Sequence, residues 1–294
     1  MMLIKKIINK LKGIYLDIYF KFNNKILFKD KYGLSYYLYK NTRPKDTFNI
    51  GVRTDDTTVL YVIDKILSST NSINEDYIHC IDVGSFIGVI TLMMSKTLQK
   101  RKKKWTVHSF EPFQETFERL QKNVNLNSFK DNVILNNVAV SDKPGKKILK
   151  SYPNAPGQNH IEINDSDKKY INHQQSTKVI TLRDYMQEKA IKHIHICKID
   201  TEGSDILVIK GLYEYLERKS VKYFIFEYEN KISYEKIKNI LSKKNYTIYF
   251  MVRNENFIVA SLENYPGNSK SLLNLIAVSP EENANFKNEF NLSN

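Results

Sequence analysis

Two rhythms of apolar and polar positions run through this chain, and the switches between them divide it into elements. Over residues 1–22, Ile4, Ile7, Ile8, Leu11, Ile14, Tyr15 and Ile18 recur at spacings of three and four, the period of a helix, with Lys5, Lys6, Lys10 and Lys12 largely off that stripe. Residues 25–28 and 34–39 flank a turn at Asp30-Lys31-Tyr32-Gly33 and predict a hairpin. A helix is expected over Val59, Leu60, Val62, Ile63, Ile66 and Leu67, capped by Thr54 or Asp55. From Cys80 onward, short apolar runs alternate with helical patterns. Strands are expected over 80–83, 105–110, 132–140, near 179–180, and over 195–199, 221–228, 246–252 and 272–278. Such alternation signals an α/β fold with a mostly parallel sheet. The division expected is a helix-and-hairpin extension (1–54), a main domain (55–282) and a flexible, Asn-rich tail (283–294). Residues 143–178 break the alternation, being polar and rich in turns (Pro144-Gly145, Pro153, Pro156-Gly157), and read as a hairpin plus a long loop inserted in the domain.

Composition narrows the picture. At 294 residues with 41% hydrophobic content, the chain is long enough to bury a proper core. No apolar run approaches the ~20 residues of a membrane span, and no secretory signal forms at the start. Cys80 and Cys197 both sit in apolar strand-like runs, which fits small core residues in a reducing, cytoplasmic compartment. The net charge of +13 raises nucleic acid as a partner, but it comes from 38 Lys and only seven Arg, and arginine forks are the usual tools of base and phosphate readout. Nucleic acid is therefore not the expected partner, although the charge keeps an RNA-directed activity open. Residues 1–22 suit docking on the domain, an oligomer contact, or a peripheral seat on an anionic membrane.

The chemistry concentrates at Cys80-Ile81-Asp82-Val83-Gly84-Ser85-Phe86-Ile87-Gly88. An apolar strand ends in an acid, and two glycines four residues apart lead into Val89-Ile90-Thr91-Leu92. The turn lacks the Gly-Lys-Ser/Thr ending of a phosphate loop and the third glycine of a dinucleotide site. Asp82 would repel a pyrophosphate and suits a cationic cofactor such as S-adenosylmethionine. Acids also fall at the ends of later strands: Glu111, Asp200 with Glu202, and Glu227 with Glu229. Parallel strands deliver their carboxyl ends to one edge, so these groups are expected to converge. Glu111, 23 residues beyond Gly88, is placed to accept hydrogen bonds from ribose hydroxyls. Ser141 and Asp142, after the third strand, are placed beside the adenine. Asp200, Glu202 and Glu227 are the candidates for orienting or deprotonating an acceptor hydroxyl. Asp200 and Glu227 are also the candidates for a divalent metal, should one take part.

These residues resemble the FkbM family of S-adenosylmethionine-dependent methyltransferases. The matching segments are Ile81 to Gly88 with Thr91-Leu92, Phe110-Glu111-Pro112, Asn137-Val138-Ala139-Val140-Ser141-Asp142, Lys198-Ile199-Asp200-Thr201-Glu202-Gly203, Ile209-Lys210-Gly211 and Phe226-Glu227. The resemblance implies a class I methyltransferase (Rossmann-like) sheet of seven strands with an antiparallel last strand. It implies methyl transfer from S-adenosylmethionine, commonly to a hydroxyl of a sugar or natural product, so a small-molecule or glycan acceptor is expected; the alternatives are an RNA methyltransferase and a catalytically inactive methyltransferase-fold subunit docked through residues 1–22. It places Asp82, Gly84, Ser85, Phe86 and Gly88 at the cofactor. Where the family often has Ala-Asn, this chain has Ser85-Phe86.

Overall fold

The computed structural model describes residues 19, 21–30, 32–39, 54–69, 77–101, 103–151, 160–161, 173–201, 203–228, 230–252, 258–261 and 273–292. The helix expected over 1–22 lies almost wholly outside them, as do Glu202 and Glu229. In chain order the strands are β1 (Lys25–Lys29), β2 (Ser35–Tyr39), β3 (Tyr77–Val83), β4 (Lys104–Phe110), β5 (Val133–Asn136), β6 (Ala139–Val140), β7 (Gly145–Ser151), β8 (His160–Ile161), β9 (His173–Ile180), β10 (Ile194–Ile199), β11 (Val221–Tyr228), β12 (Thr247–Val252), β13 (Ile258–Ser261) and β14 (Leu273–Val278). The helices are α1 (Thr54–Ser68), α2 (Val89–Gln99), α3 (Gln114–Leu126), α4 (Leu182–Glu188), α5 (Asp205–Lys210), α6 (Tyr213–Glu217), α7 (Lys231–Ser242) and α8 (Asn283–Glu289).

The main sheet runs β13-β12-β14-β11-β10-β3-β4-β5. The strands from β5 to β11 are parallel, and β14 inserts antiparallel between β11 and β12. This is the class I methyltransferase sheet, with β13 added at the edge as an eighth strand beyond the seven expected. Both faces are buried, so the strands read as continuous apolar runs rather than alternating ones. In β11, Tyr223 and Ile225 join the core under α1, α2, α3 and α8, while Phe224 and Phe226 join the core under α4 to α7. Cys80 and Cys197 are buried free thiols in this sheet. Among the described residues no helix is long and apolar enough to cross a membrane.

The hairpin β1–β2 is tied to the main body. Leu34, Tyr36 and Leu38 are buried in the first core. Asn123 of α3 and Asn127, which caps its end, meet the exposed edge of β2: Asn127 accepts from Ser35 N (2.9 Å) and donates to Ser35 O (2.7 Å), and Asn123 accepts from Tyr37 N (2.8 Å). They satisfy strand groups that a helix face would otherwise leave unpaired.

Three expectations need correction. The single strand expected over 132–140 is two: β5 stays in the main sheet, and β6 leaves it. The break is at Asn137, whose side-chain amide donates to the carbonyls of Glu111 (2.9 Å) and Pro112 (3.2 Å). In the inserted region the expected hairpin is part of a larger sheet, and residues 152–159 and 162–172, where the long loop was expected, lie outside the described residues. β7 pairs with β9 over seven positions in a second sheet, ordered β6-β9-β7-β8. Its polar residues lie on a solvated face, which disguises it as loop. The tail expected to be flexible forms α8, where Phe286 is 1% exposed against Tyr223 and Tyr249. Glu282, just before α8, accepts from Lys222 (2.9 Å) and Tyr223 (3.3 Å), and Asn283 accepts from Tyr249 (2.6 Å). Five asparagines in the last twelve residues hide an anchor, Phe286, that composition alone cannot weigh.

Candidate functional site

The site is built at the carboxyl edge where β3 meets β4 on one side and β10 on the other. Backbone bonds fix the turn after β3: Gly84 N and Ser85 N both donate to Phe110 O (2.9 and 3.0 Å), and Gly88 N donates to Ser85 O (2.8 Å). Gly84 has φ +80°, and a Cβ there would fall 1.8 Å from the carbonyl oxygen of Asp200. Only glycine fits, in conformation and in space. The same backbone carries Asp200 N onto Val83 O (2.9 Å), so the two strand ends are locked together. Gly88 (φ +95°) opens α2, and a Cβ there would meet Leu120 Cδ1 of α3 at 2.6 Å.

Each expected cofactor residue has a definite place. Asp82 is buried behind the turn, where its carboxylate accepts from Thr91 Oγ1 (2.6 Å), and Thr91 also meets Ser109. Burial pushes the Asp82 carboxyl up to about 6, against the opposing pull of the Thr91 bond and the Lys198 charge. The Ser85 hydroxyl turns inward, bonding to the carbonyls of Asp82 (2.9 Å) and Phe110 (3.1 Å), so what Ser85 offers a ligand is backbone. Phe86 takes the left-handed region (φ +49°), rare for a bulky residue, and donates its N–H to Glu111 Oε2 (2.9 Å).

Glu111 is more engaged with protein than its place at a strand end suggests. Besides Phe86, it accepts from Phe113 N (2.9 Å) and Thr116 Oγ1 (2.7 Å) on Oε1. A carboxylate offers about four lone-pair positions. Three are filled, and the one left, on Oε2, lies beside the turn. Burial raises its carboxyl to about 7 despite these bonds.

On the other side, Lys198 is 3% exposed, and its Nζ donates to Asp200 Oδ2 (3.2 Å) and Ile199 O (3.1 Å). Its Cα pairs with that of Asp82 on one neighbouring strand and Ile225 on the other. Desolvation pulls its ammonium down, but Asp200, Asp205 and Asp82 together outweigh that and hold it above the ordinary lysine value. Asp205 is also buried, accepting from the backbone N (2.8 Å) and hydroxyl (2.6 Å) of Thr201. Three carboxylates thus face one ammonium, an excess of negative charge at this edge. The Asp200 side chain is 42% exposed at the mouth, and its Oδ1 makes no hydrogen bond among the described residues. Glu227, two residues beyond Ile225, is half-buried at the same edge, beside Asn274 of β14. Among the described residues no three His, Cys, Asp or Glu side chains are grouped so as to hold a metal ion.

Ser141 and Asp142 border the site from β6. Ser141 N donates to Ile180 O (3.0 Å), and the Ser141 hydroxyl bonds to Asp142 (3.2 Å). Gly211 explains its own presence here: a Cβ on it would lie 2.6 Å from Ser141 O. The Ile-Lys-Gly segment therefore lets α5 end against the Ser-Asp turn. Thr91, Lys198, Asp205 and Gly211 all carry structure in the site beyond the residues chosen for ligand contact. Lys198 was open to detection, since a lysine in an otherwise apolar strand is costly unless paired.

A curated relative, Methyltransferase 1 of Beauveria bassiana (strain ARSEF 2860), is 24% identical over 147 residues, which cover 45% of this chain and 57% of that protein. Among solved structures, Methyltransferase FkbM from Methylobacillus flagellatus KT superposes with a TM-score of 0.45 at 13% identity, covering 72% of this chain and 47% of that one. The METTL16 MTase domain superposes with a TM-score of 0.47 at 13% identity, covering 91% and 92%. The chain thus spans about half the length of the first two. The sequence profile of the Methyltransferase FkbM domain matches residues 82–249, more than half of the chain, so the chain belongs to the FkbM methyltransferase domain family.

Proposed function

We propose that this chain is an S-adenosylmethionine-dependent O-methyltransferase acting on a hydroxyl of a sugar, glycan or glycoconjugate. The observation that carries the reading is the lock between the glycine turn and the Lys198–Asp200 strand end, which sets a cofactor cradle where a Cβ would lie only 1.8 Å from backbone directly against an exposed carboxylate oxygen. S-adenosylmethionine supplies a methyl group on a sulfonium, ready for in-line displacement. The residues present fit it: the bare backbone at Gly84 permits close approach, the remaining lone pair of Glu111 suits a ribose hydroxyl, and the uncompensated carboxylates suit a cation. Asp142 borders the adenine side. The bound cofactor would supply its methyl group to the acceptor oxygen and keep the electron pair of the broken carbon–sulfur bond, while Asp200 Oδ1 would take the hydroxyl proton. Lys198 holds the opposite oxygen of that carboxylate, so Asp200 is oriented before the acceptor arrives. Much of the acceleration in such a displacement comes from positioning.

The test is calorimetric titration of the protein with S-adenosylhomocysteine, followed by transfer of a radiolabelled methyl group to a panel of sugars and glycoconjugates. Binding, with transfer to an oxygen, is expected. Asp200→Asn should lower transfer by about 100-fold or more with little change in cofactor affinity. Folded protein that gives no binding would sink the cofactor assignment, and undiminished transfer by the Asn variant would remove Asp200 from its role.

A further inference from the structure

The second sheet carries an arrangement that folding stability alone does not favour. In β7 and β9, Lys146 stands directly opposite Lys178, on the solvent face. Like charges facing each other across an antiparallel pair are destabilising. Ile148, 43% exposed, and Ser176 form the next pair on that face, while Leu149, Thr177 and Val179 fill the buried face. Residues 143–151 and 173–180 contain five lysines and no acid. Lys143, Lys146 and Lys178 are exposed and make no ion pair among the described residues, and Glu188, which feels the charge of Lys178, already bonds to Lys189 (2.9 Å).

This sheet is clamped to the cofactor side of the site. Gln175 of β9 accepts from Gln114 N (2.9 Å) and donates to Pro112 O (2.9 Å), straddling the corner just after Glu111. Lys143 follows Asp142 directly, and Lys146 is four residues beyond Asp142, at most ~14 Å along the chain. Lys100 and Lys104 lie elsewhere: Lys104 opens β4 and Lys100 caps the end of α2, so both sit at the amino edge of the sheet, away from the site.

We propose that the exposed face of this second sheet binds the acceptor, and that the acceptor is an anionic sugar chain or glycoconjugate bearing phosphate, sulfate or carboxylate groups. Lys143, Lys146 and Lys178 hold those groups as point charges, which relieves the repulsion built into the pairing. Among the described side chains of this face none is aromatic and none is an arginine, which favours an anionic glycan over single-stranded nucleic acid. The inference rests on the glycan methyltransferase reading for the identity of the acceptor.

The probes are a labelled heparin oligosaccharide, a neutral dextran oligosaccharide and a labelled oligouridine, with anisotropy read on the full chain across a range of salt. Wild type should bind heparin in preference to both others, with affinity falling as salt rises. Lys178→Glu should weaken heparin binding about 10-fold or more while raising Tm by about 1–2 °C, because it turns a repulsive cross-strand pair into an attractive one. Lys146→Glu is the reciprocal variant and should behave alike. The control Lys100→Gln/Lys104→Gln should change heparin affinity less than about twofold. The proposal is overturned by no heparin binding in wild type, by equal losses in the control and the sheet variants, or by oligouridine binding more tightly than heparin and depending on Lys178. S-adenosylhomocysteine titration of the same samples separates the two readings. If the cofactor does not bind wild type, the methyltransferase reading fails by itself; if both variants keep cofactor affinity, any loss of heparin binding belongs to the lysine face.

Discussion

Replacing Gly84 by alanine tests whether cofactor cradle and acceptor-side strand are one mechanical unit. The new Cβ would sit 1.8 Å from the carbonyl oxygen of Asp200, where a normal carbon–oxygen contact needs well over 3 Å, and the obstacle is backbone rather than a mobile side-chain tip. The turn or the strand end must therefore move by more than 1 Å. Either movement strains Asp200 N to Val83 O, or the bonds from Gly84 and Ser85 to Phe110 O. Alanine at φ +80° adds ~1–2 kcal/mol of conformational strain, and forced overpacking adds ~1–3 kcal/mol. A total of about 2–5 kcal/mol converts to a Tm loss of roughly 5–15 °C and, where the distortion falls on the cradle, a fall of about 100-fold or more in affinity for S-adenosylhomocysteine. Gly88→Ala is the internal comparison. Its Cβ meets the far end of Leu120 at 2.6 Å, a side chain that can rotate aside, so its effect should be smaller on affinity than that of Gly84→Ala. Differential scanning calorimetry and ligand titration on the three proteins decide the matter. A Gly84→Ala protein with wild-type affinity and Tm would refute the lock, as would a Gly88→Ala protein more impaired in binding.

Glu111→Gln keeps shape but replaces one acceptor oxygen with a donor, so either Phe86 N–H or the position left for a ribose hydroxyl is lost; affinity for S-adenosylhomocysteine should fall about 10–100-fold by calorimetry, and unchanged affinity would exclude Glu111 from the cofactor site. His108, bonded to His79 (3.1 Å) and Tyr185 (2.9 Å), and His195 are both pushed down to about 3, first by burial and then by neighbouring cationic groups. Below the unfolded value of 6.5 the unfolded chain binds protons that the folded chain refuses, so stability is full above pH 6.5 and falls with acidification, by roughly 2 kcal/mol per histidine at pH 5; denaturant melts at pH 5 and 7.5 check this, and His108→Gln should flatten the acid limb. Phe286→Ala should cost about 3–5 kcal/mol in the same melts, whereas an unaltered midpoint would mean that α8 contributes nothing to the core.

What could be read ahead of the structure follows the range of the interactions involved. The parallel strands and their acids were legible because each strand buries both faces and so writes an unbroken apolar run, and because the carboxyl ends of such strands share an edge by topology alone. The convergence of Asp82, Glu111, Asp200 and Glu227 needs no side-chain detail, and the residues stand where that reasoning puts them. Of the second sheet only a hairpin and a short strand at 179–180 were legible, since only one face of β7 and β9 is buried and their apolar residues are Ile148, Leu149, Val179 and Ile180 among lysines and glutamines. Asn137, which ends β5 by bonding to Glu111 O and Pro112 O, looks like any other turn asparagine until its partners 25 and 26 residues away are in place. Gly211 is the sharpest case. Its backbone is ordinary helical, so no rule about turns selects it, and its requirement comes chiefly from the Ser141 carbonyl 2.6 Å from where its Cβ would be. Gly211→Ala should therefore act without any conformational penalty at its own position, by pushing the Ser141-Asp142 turn. If that turn borders the adenine, the variant should lose affinity for S-adenosylhomocysteine more than it loses Tm, relative to Gly88→Ala. An equal or opposite ratio would place Gly211 in packing alone and would separate Ser141 and Asp142 from the cofactor.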